Sequence, residues 1–245
     1  MRSLLIGDIH GEFRQANKII LKAQKRYGPL THVFQPGDLA DGWPRVKVRP
    51  AGSIYEKEEM PRGFLRWNPV FQPIHWCDGN HENFDRLDDP KLRNPKLNYQ
   101  ERGSVLEVDG IRIMFFGGAT SADKAWRTTG KSWWPQESIR YEQVMAALRE
   151  ELKPIHCIVS HDRPDSFPHP SHHRYAHKED CGRGDRQALD ALLDFYRPKW
   201  WFHGHYHDDT HGHHQDTNTF FYCCPIITSG KYLIWDGDQV IQSGE

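Results

Sequence analysis

Five apolar runs in this chain each stop at a short loop that carries a carboxylate, an amide or an imidazole, and this repetition constrains the fold most. Ser3 to Ile6 runs into Gly7-Asp8-Ile9-His10-Gly11, His32 to Gln35 into Pro36-Gly37-Asp38, and Val70 to Trp76 into Asp78-Gly79-Asn80-His81-Glu82. Ile155 to Ser160 ends at His161, and Trp200 to His203 at Gly204-His205-Tyr206-His207. Runs of this length next to glycine read as strands. Between them, Phe13, Ala16, Ile19, Ile20 and Ala23 recur at helical spacing, as do Val144, Ala147, Leu148 and Leu152, then Leu189, Leu192, Leu193 and Tyr196. Strands that alternate with helices pair in parallel, and their C-terminal ends share the edge where such sheets bind ligands. Asp109-Gly110 and Asp236-Gly237-Asp238 each separate two short apolar runs, a hairpin signal that adds antiparallel strands. The expected fold class is α/β: two mixed β-sheets packed as a sandwich and flanked by helices.

The 245 residues suit one domain, with a polar, proline-punctuated insertion at about 42–69 beside the site. Thirty-two basic against 33 acidic residues leave no global field for a polyanion, so nucleic acid would need a local patch. No apolar run approaches the roughly 20 residues of a membrane span, and the start is too short for a signal peptide. A cytoplasmic protein without a membrane or evident protein partner is expected. Five cysteines without C-x-x-C spacing read as reduced structural thiols. Sixteen histidines are the compositional anomaly, crowded into 161–177 and 203–214; those outside the motifs read as solvated loop.

The motif residues form a ligand set. Asp8 and His10, at i and i+2 of an extended segment, project to one side and can grip one ion, and His205 and His207 repeat that spacing. Asp38, a lone carboxylate in mid-series, suits a bridging role, while Asn80 offers a neutral oxygen and His161 an imidazole. Mixed oxygen and nitrogen donors favour Mn, Fe or Zn over Ca or Mg. Two such ions roughly 3.5 to 4 Å apart ionise a shared water and stabilise charge on a phosphoryl group, which is what phosphate ester hydrolysis requires.

In order and residue type these motifs resemble the calcineurin-like metallophosphoesterase family. Gly117-Gly118 and Trp133-Trp134-Pro135 are similar to stretches in its bacterial and phage-type members. The resemblance implies that Asp8, His10, Asp38 and His207 bind one metal and Asp38, Asn80, His161 and His205 the other, with Mn first and Fe or Zn as alternatives. It implies attack of a metal-bound hydroxide on a phosphate ester. His81 then protonates the leaving oxygen or holds phosphate, and Asp41 is the acidic partner that orients His81 and raises its pKa. Asp41 is followed by Gly42-Trp43 rather than by the arginine of protein phosphatases, which weakens that assignment. Arg127 has two readings, a phosphate ligand or an i, i+4 ion pair with Asp123. Trp126, Trp133 and Trp134 either stack a base or pack under a loop. Glu82 reads as a helix N-terminal carboxylate. The expected substrate is a small phosphomonoester or phosphodiester, a nucleotide among the candidates. The alternatives are a nucleic-acid-processing phosphodiesterase and a non-catalytic metal-binding scaffold, the latter opposed by the presence of every expected ligand.

Overall fold

A computed structural model describes residues 1–47, 58–64, 66–168 and 181–243. In chain order the first half holds β1 (Ser3–Leu5), α1 (Phe13–Tyr27), β2 (His32–Gln35), β3 (Pro44–Lys47), β4 (Glu58–Phe64), β5 (Ile74–Trp76), α2 (Phe84–Leu87), β6 (Asn98–Tyr99), β7 (Ser104–Val108) and β8 (Ile111–Phe116). The second half holds α3 (Tyr141–Ala147), β9 (Cys157–Ser160), α4 (Arg183–Tyr196), β10 (Trp200–His203), β11 (His211–His214), β12 (Thr219–Cys223), β13 (Leu233–Trp235) and β14 (Val240–Gln242).

Two six-stranded mixed sheets result, in the orders β14-β13-β1-β2-β5-β6 and β11-β12-β10-β9-β8-β7. β1, β2, β5 and β6 are parallel neighbours in the first sheet, and β8, β9, β10 and β12 in the second. The hairpins expected at Asp109-Gly110 and Asp236-Gly237-Asp238 supply antiparallel pairs, β7 with β8 at an edge of the second sheet and β13 with β14 at an edge of the first.

Period-two alternation assigns the layers. Leu5, Phe34, Ile113, Phe115, Cys157, Val159, Trp200 and Phe202 meet between the sheets. Their neighbours Leu4 and Val33 turn the other way, into a cluster with Ala16, Ile19, Ile20 and Ala23 of α1. Met114, Phe116, Ile158 and Trp201 likewise turn toward Val144 of α3 and Leu189, Leu192 and Leu193 of α4. Each fully buried aliphatic side chain contributes roughly 1.5–3 kcal/mol, so the three clusters hold the sandwich together and fix which strand ends face the same way. No helix among the described residues is long and apolar enough to cross a membrane.

Several elements depart from expectation. The strand expected from Val70 begins only at Ile74, after Pro73, because proline donates no ladder hydrogen bond, and the one expected from Ile155 begins at Cys157. In the 42–69 insertion, β3 and β4 pair antiparallel, while 48–57 and 65 lie outside the described residues. The histidines at 169, 172, 173 and 177 lie outside them too. His211 to His214, read as solvated loop, is instead the edge strand β11, where polar side chains are tolerated. The His211 ring stacks on Tyr222 at 5.6 Å and the His213 ring lies 4.6 Å from Phe220.

Candidate metal centre

The loops after β1, β2, β5, β9 and β10 leave the C-terminal ends of parallel strands in both sheets and converge at one edge of the sandwich. Four of the residues they bring there hold left-handed backbone, with φ of 46° at His10, 55° at Asp38, 67° at His205 and 57° at His207. Non-glycine residues in that region carry strain of about 1–3 kcal/mol each, and such strain concentrates at functional sites. Gly79 has no room for a side chain, since a Cβ there would overlap the Asp38 carboxylate.

All seven expected ligands lie in this cluster. Asp8, His10, Asp38 and His207 each place one donor atom within 4.8 Å of the others. His10 Nε2 is 3.0 Å from His207 Nε2 and 3.6 Å from Asp38 Oδ2. Asp8 Oδ2 is 3.0 Å from His207 Nε2 and 3.8 Å from His10 Nε2. On the other side of Asp38, its Oδ1 is 3.3 Å from His161 Nε2, which is 3.1 Å from Asn80 Oδ1. The His205 ring stands edge-on to His161 at 5.0 Å. Asp38 thus turns one oxygen toward each group of donors. Asp8, Asp38, Asn80 and His161 are buried, whereas His10 and His205 are half-buried and His207 is exposed, so the cluster opens to solvent on one side.

The electrostatics follow from this crowding. Burial pushes the Asp38 carboxyl up, but His161, His81 and His10 outweigh it and hold the group well below the usual carboxylate range. Burial opposes protonation of His161, but the Asp38 and Asp8 carboxylates prevail and its pKa is raised. His161 Nδ1 donates to the Pro36 carbonyl at 2.8 Å, which turns Nε2 and its lone pair to the centre.

Asp41, expected beside His81, has its carboxylate turned to other partners. Its carboxylate accepts from Arg66 Nη1 at 3.0 Å, the Trp67 backbone N–H at 2.7 Å and Asn94 Nδ2 at 3.1 Å, so it braces the chain around Trp67 instead of orienting His81. His81 is lowered well below an ordinary imidazole, by burial first and by Arg127 in addition, against the pull of Asp38. Its backbone N–H donates to Asp38 Oδ1 at 2.8 Å, and its Nε2 meets Arg127 Nη2 at 2.7 Å. Arg127 forms the i, i+4 ion pair with Asp123. Its Nε pairs with Asp123 Oδ1 at 2.6 Å, and the same guanidinium reaches Asn80 O at 3.1 Å and the His81 ring. Trp134 packs in the core and against Trp43, whereas Trp126 is 83% exposed.

Reading the sequence alone does not find the groups behind the cluster. Glu82 is no dipole residue: its two carboxylate oxygens accept from the backbone N–H groups of Leu39, at 2.7 Å, and Ala40, at 3.1 Å, and so hold the loop that carries Asp38. Asn80 Nδ2 donates to Ser121 Oγ, which donates to Glu137. Asp78 forms a buried ion pair with Arg102, 2.6 Å at its shortest. The Gly117-Gly118 turn makes room for that pair, since a Cβ at Gly117 would overlap Asp78. Asp78 and Glu82 stand in a motif, but nothing in it names the groups they meet, because each finds its counterpart only through the tertiary fold.

Comparison with known proteins agrees with this geometry. Residues 1–209 match the Metallophos model, calcineurin-like phosphoesterase. The chain is 29% identical over 182 residues to the lariat debranching enzyme of Schizosaccharomyces pombe, an overlap of 63% of this chain and 39% of that protein. It thus spans about two-fifths of the length of the curated relative it matches. Its fold is similar to that of TT1561 of Thermus thermophilus, with a TM-score of 0.56 and 11% identity over 99% of this chain and 97% of the other. The matched span runs through every motif from Gly7 to His207, and the chain belongs to the calcineurin-like phosphoesterase family.

Proposed function

We propose that this protein hydrolyses phosphate esters with two divalent metal ions, Mn foremost, and that its natural substrate is a phosphodiester. The observation that carries the reading is the placement of Asp38 between two donor groups, Oδ2 toward His10 and Oδ1 toward His161. The donors fit such ions. Two imidazole Nε2 atoms 3.0 Å apart, with the Asp8 and Asp38 carboxylates beside them, make a mixed nitrogen and oxygen set that suits Mn, Fe or Zn. Asp8, His10, Asp38 and His207 would hold one ion, and Asp38, Asn80, His161 and His205 the other. Bound there, the ions supply Lewis acidity toward the phosphoryl oxygens and lower the pKa of a coordinated water.

The chain's own groups complete the arrangement. Asp123 ties Nε of Arg127, so the guanidinium keeps a fixed direction and presents N–H donors to non-bridging phosphate oxygens. A phosphate oxygen that accepts from Arg127 Nη2 displaces His81 Nε2 from that contact, and the freed nitrogen faces the leaving oxygen. The fission yeast relative, a lariat debranching enzyme, weighs toward a diester in nucleic acid over a monoester. Trp126, exposed one residue before Arg127, would stack an unpaired base of such a substrate.

The test compares hydrolysis of an aryl phosphodiester with that of the matching monoester by metal-free protein reconstituted with Mn, Fe, Zn or Mg, beside Asp38→Asn and His81→Ala. Diester turnover that both substitutions abolish is the expected result. Monoester turnover alone would overturn the diester assignment. Folded protein that takes up two ions and hydrolyses neither would favour the scaffold reading.

A further inference from the structure

Asn80 is an ambiguous ligand in a way that no carboxylate is. Its amide has one face that can bind a metal, the oxygen, and one that cannot, the NH2, and the two differ by a flip about a single bond. Something must therefore hold the oxygen toward the centre. The neighbouring hydrogen bonds decide the orientation. The Ser121 backbone N–H can only donate, and it does so to Glu137 Oε1 at 2.7 Å. The other oxygen of the same carboxylate, Oε2, lies 2.7 Å from Ser121 Oγ and takes the single hydroxyl proton. Ser121 Oγ then has only a lone pair left for Asn80. The amide must face it with Nδ2, at 3.1 Å, and Oδ1 is left facing His161 Nε2 at 3.1 Å. Asn80, Ser121 and Glu137 are 5%, 2% and 1% exposed, so water does not compete for these bonds. The Glu137 backbone is itself anchored, its carbonyl accepting from Ala119 N at 3.0 Å and from Arg102 Nη2 at 3.1 Å.

We infer that Ser121 and Glu137 are positioning residues that set the ligating face of Asn80, and with it the affinity of one of the two metal positions. The inference rests on the proposed role of Asn80 as a ligand. Glu137→Gln discriminates because it keeps the shape and reverses the polarity. A glutamine that accepts from Ser121 N with its oxygen turns its NH2 to Ser121 Oγ, which sends the hydroxyl proton to Asn80 and the Asn80 NH2 to the centre.

The experiment is a calorimetric Mn titration of the metal-free protein, with folding checked by thermal melting. The original chain, Glu137→Gln, Ser121→Ala, Asn80→Asp and the double variant Asn80→Asp with Glu137→Gln are compared. We expect two binding events in the original chain, and in Glu137→Gln a loss of about 10- to 100-fold at one of them, the size typical of ligand-orienting partners, with the other unchanged. Ser121→Ala shows the same selective loss with a smaller magnitude. Because both oxygens of aspartate can ligate, Glu137→Gln in the Asn80→Asp background changes affinity by no more than about twofold, the scatter of independent substitutions. Equal losses in both backgrounds, or no loss in Glu137→Gln, would overturn the inference while leaving Asn80 a ligand. Fewer than two binding events in the original chain would overturn the ligand assignment and this inference with it.

Discussion

Glu82→Ala should cost about 4 kcal/mol of stability and a large part of the metal affinity together. Glu82 is 1% exposed, and its oxygens are the acceptors for the N–H groups of Leu39 and Ala40, both of which are buried. Removing the carboxylate strands two buried donors at about 1–3 kcal/mol each, which gives the central figure of about 4. The same loop carries left-handed backbone at Asp38, φ 55°, and at Ala40, φ 59°, with strain of about 1–3 kcal/mol apiece. The clamp and the strain are of equal size. Without the clamp the strain falls on the remaining bonds of the loop, those from Ile9, His10 and His81 to Asp38 among them, so the loop loosens and Asp38 shifts from its place between the two donor groups. Thermal melting of metal-free protein should show a fall in Tm on the order of 10 °C for a chain of this length. Calorimetry should show that both metal positions weaken, since Asp38 turns one oxygen toward each group of donors. Glu82→Gln, which keeps one acceptor oxygen, should lie between. A stability loss below about 1 kcal/mol with both affinities intact would refute the reasoning.

Four other outcomes follow from the geometry. His75 is buried, and burial together with neighbouring His32 lowers it to about 4. Its folded pKa lies below its unfolded value, so the unfolded chain binds more protons between these limits and stability falls as pH drops through 6.5, levelling off below 4; the loss at pH 5 relative to pH 8 is about 2 kcal/mol. His75→Leu should flatten that part of a urea-denaturation pH profile, and an unchanged slope would sink the argument. Arg127→Ala should lower turnover about 10²- to 10³-fold while leaving metal affinity alone, and Arg127→Lys should not restore it; loss of metal affinity would instead mark the Asn80 contact as the main role. Asp41→Ala should cost about 1–3 kcal/mol through Trp67 and Asn94 without moving the pH profile of turnover, and a shifted limb would reinstate it as the partner of His81. Trp126→Ala should raise KM for a single-stranded oligonucleotide about 5- to 150-fold, the range for one lost base stack, and leave the aryl diester unaffected; equal effects on both would rule out stacking.

The sheets and the convergence of the loops were legible because each candidate ligand sits directly after an apolar run, where the chain has to leave the sheet. Asp8, Asp38, Asn80, His161 and His205 needed only local order to be placed. The roles of Asp41 and Glu82 were not legible for the opposite reason. Each is a carboxylate in a motif, and the motif says nothing of which backbone groups will fold against it. Asp41 meets Asn94, 53 positions away, and Glu82 meets Leu39, 43 positions away, contacts that arise only once β2 and β5 lie side by side. Glu137 was invisible altogether, an acidic residue in a polar stretch that the fold buries. β11 escaped because an edge strand needs no apolar alternation; its histidines lean on Phe220 and Tyr222 of β12, and that pairing is absent from the local pattern.

The two central carboxylates share one division of labour, and it determines which substitutions are informative. Asp8 Oδ1 accepts from the backbone N–H of His205 at 3.1 Å, while Oδ2 faces His207 and His10. Asp38 Oδ1 accepts from the backbone N–H of His81 at 2.8 Å, while Oδ2 faces His10. In each case one oxygen holds a loop and the other addresses the donor cluster, and Asp38 Oδ1 in addition faces His161 Nε2 at 3.3 Å. Alanine at either position removes both functions, so a dead variant would say nothing about metal, because the loops at His205 and His81 would have lost their acceptor as well. Asparagine separates them. Its oxygen keeps the loop bond, and its NH2 takes the place of Oδ2, the oxygen that faces His10 from both positions, where it can only donate and cannot ligate. Loss of metal affinity in a chain that melts like the original then belongs to the donor set and not to the fold that carries it.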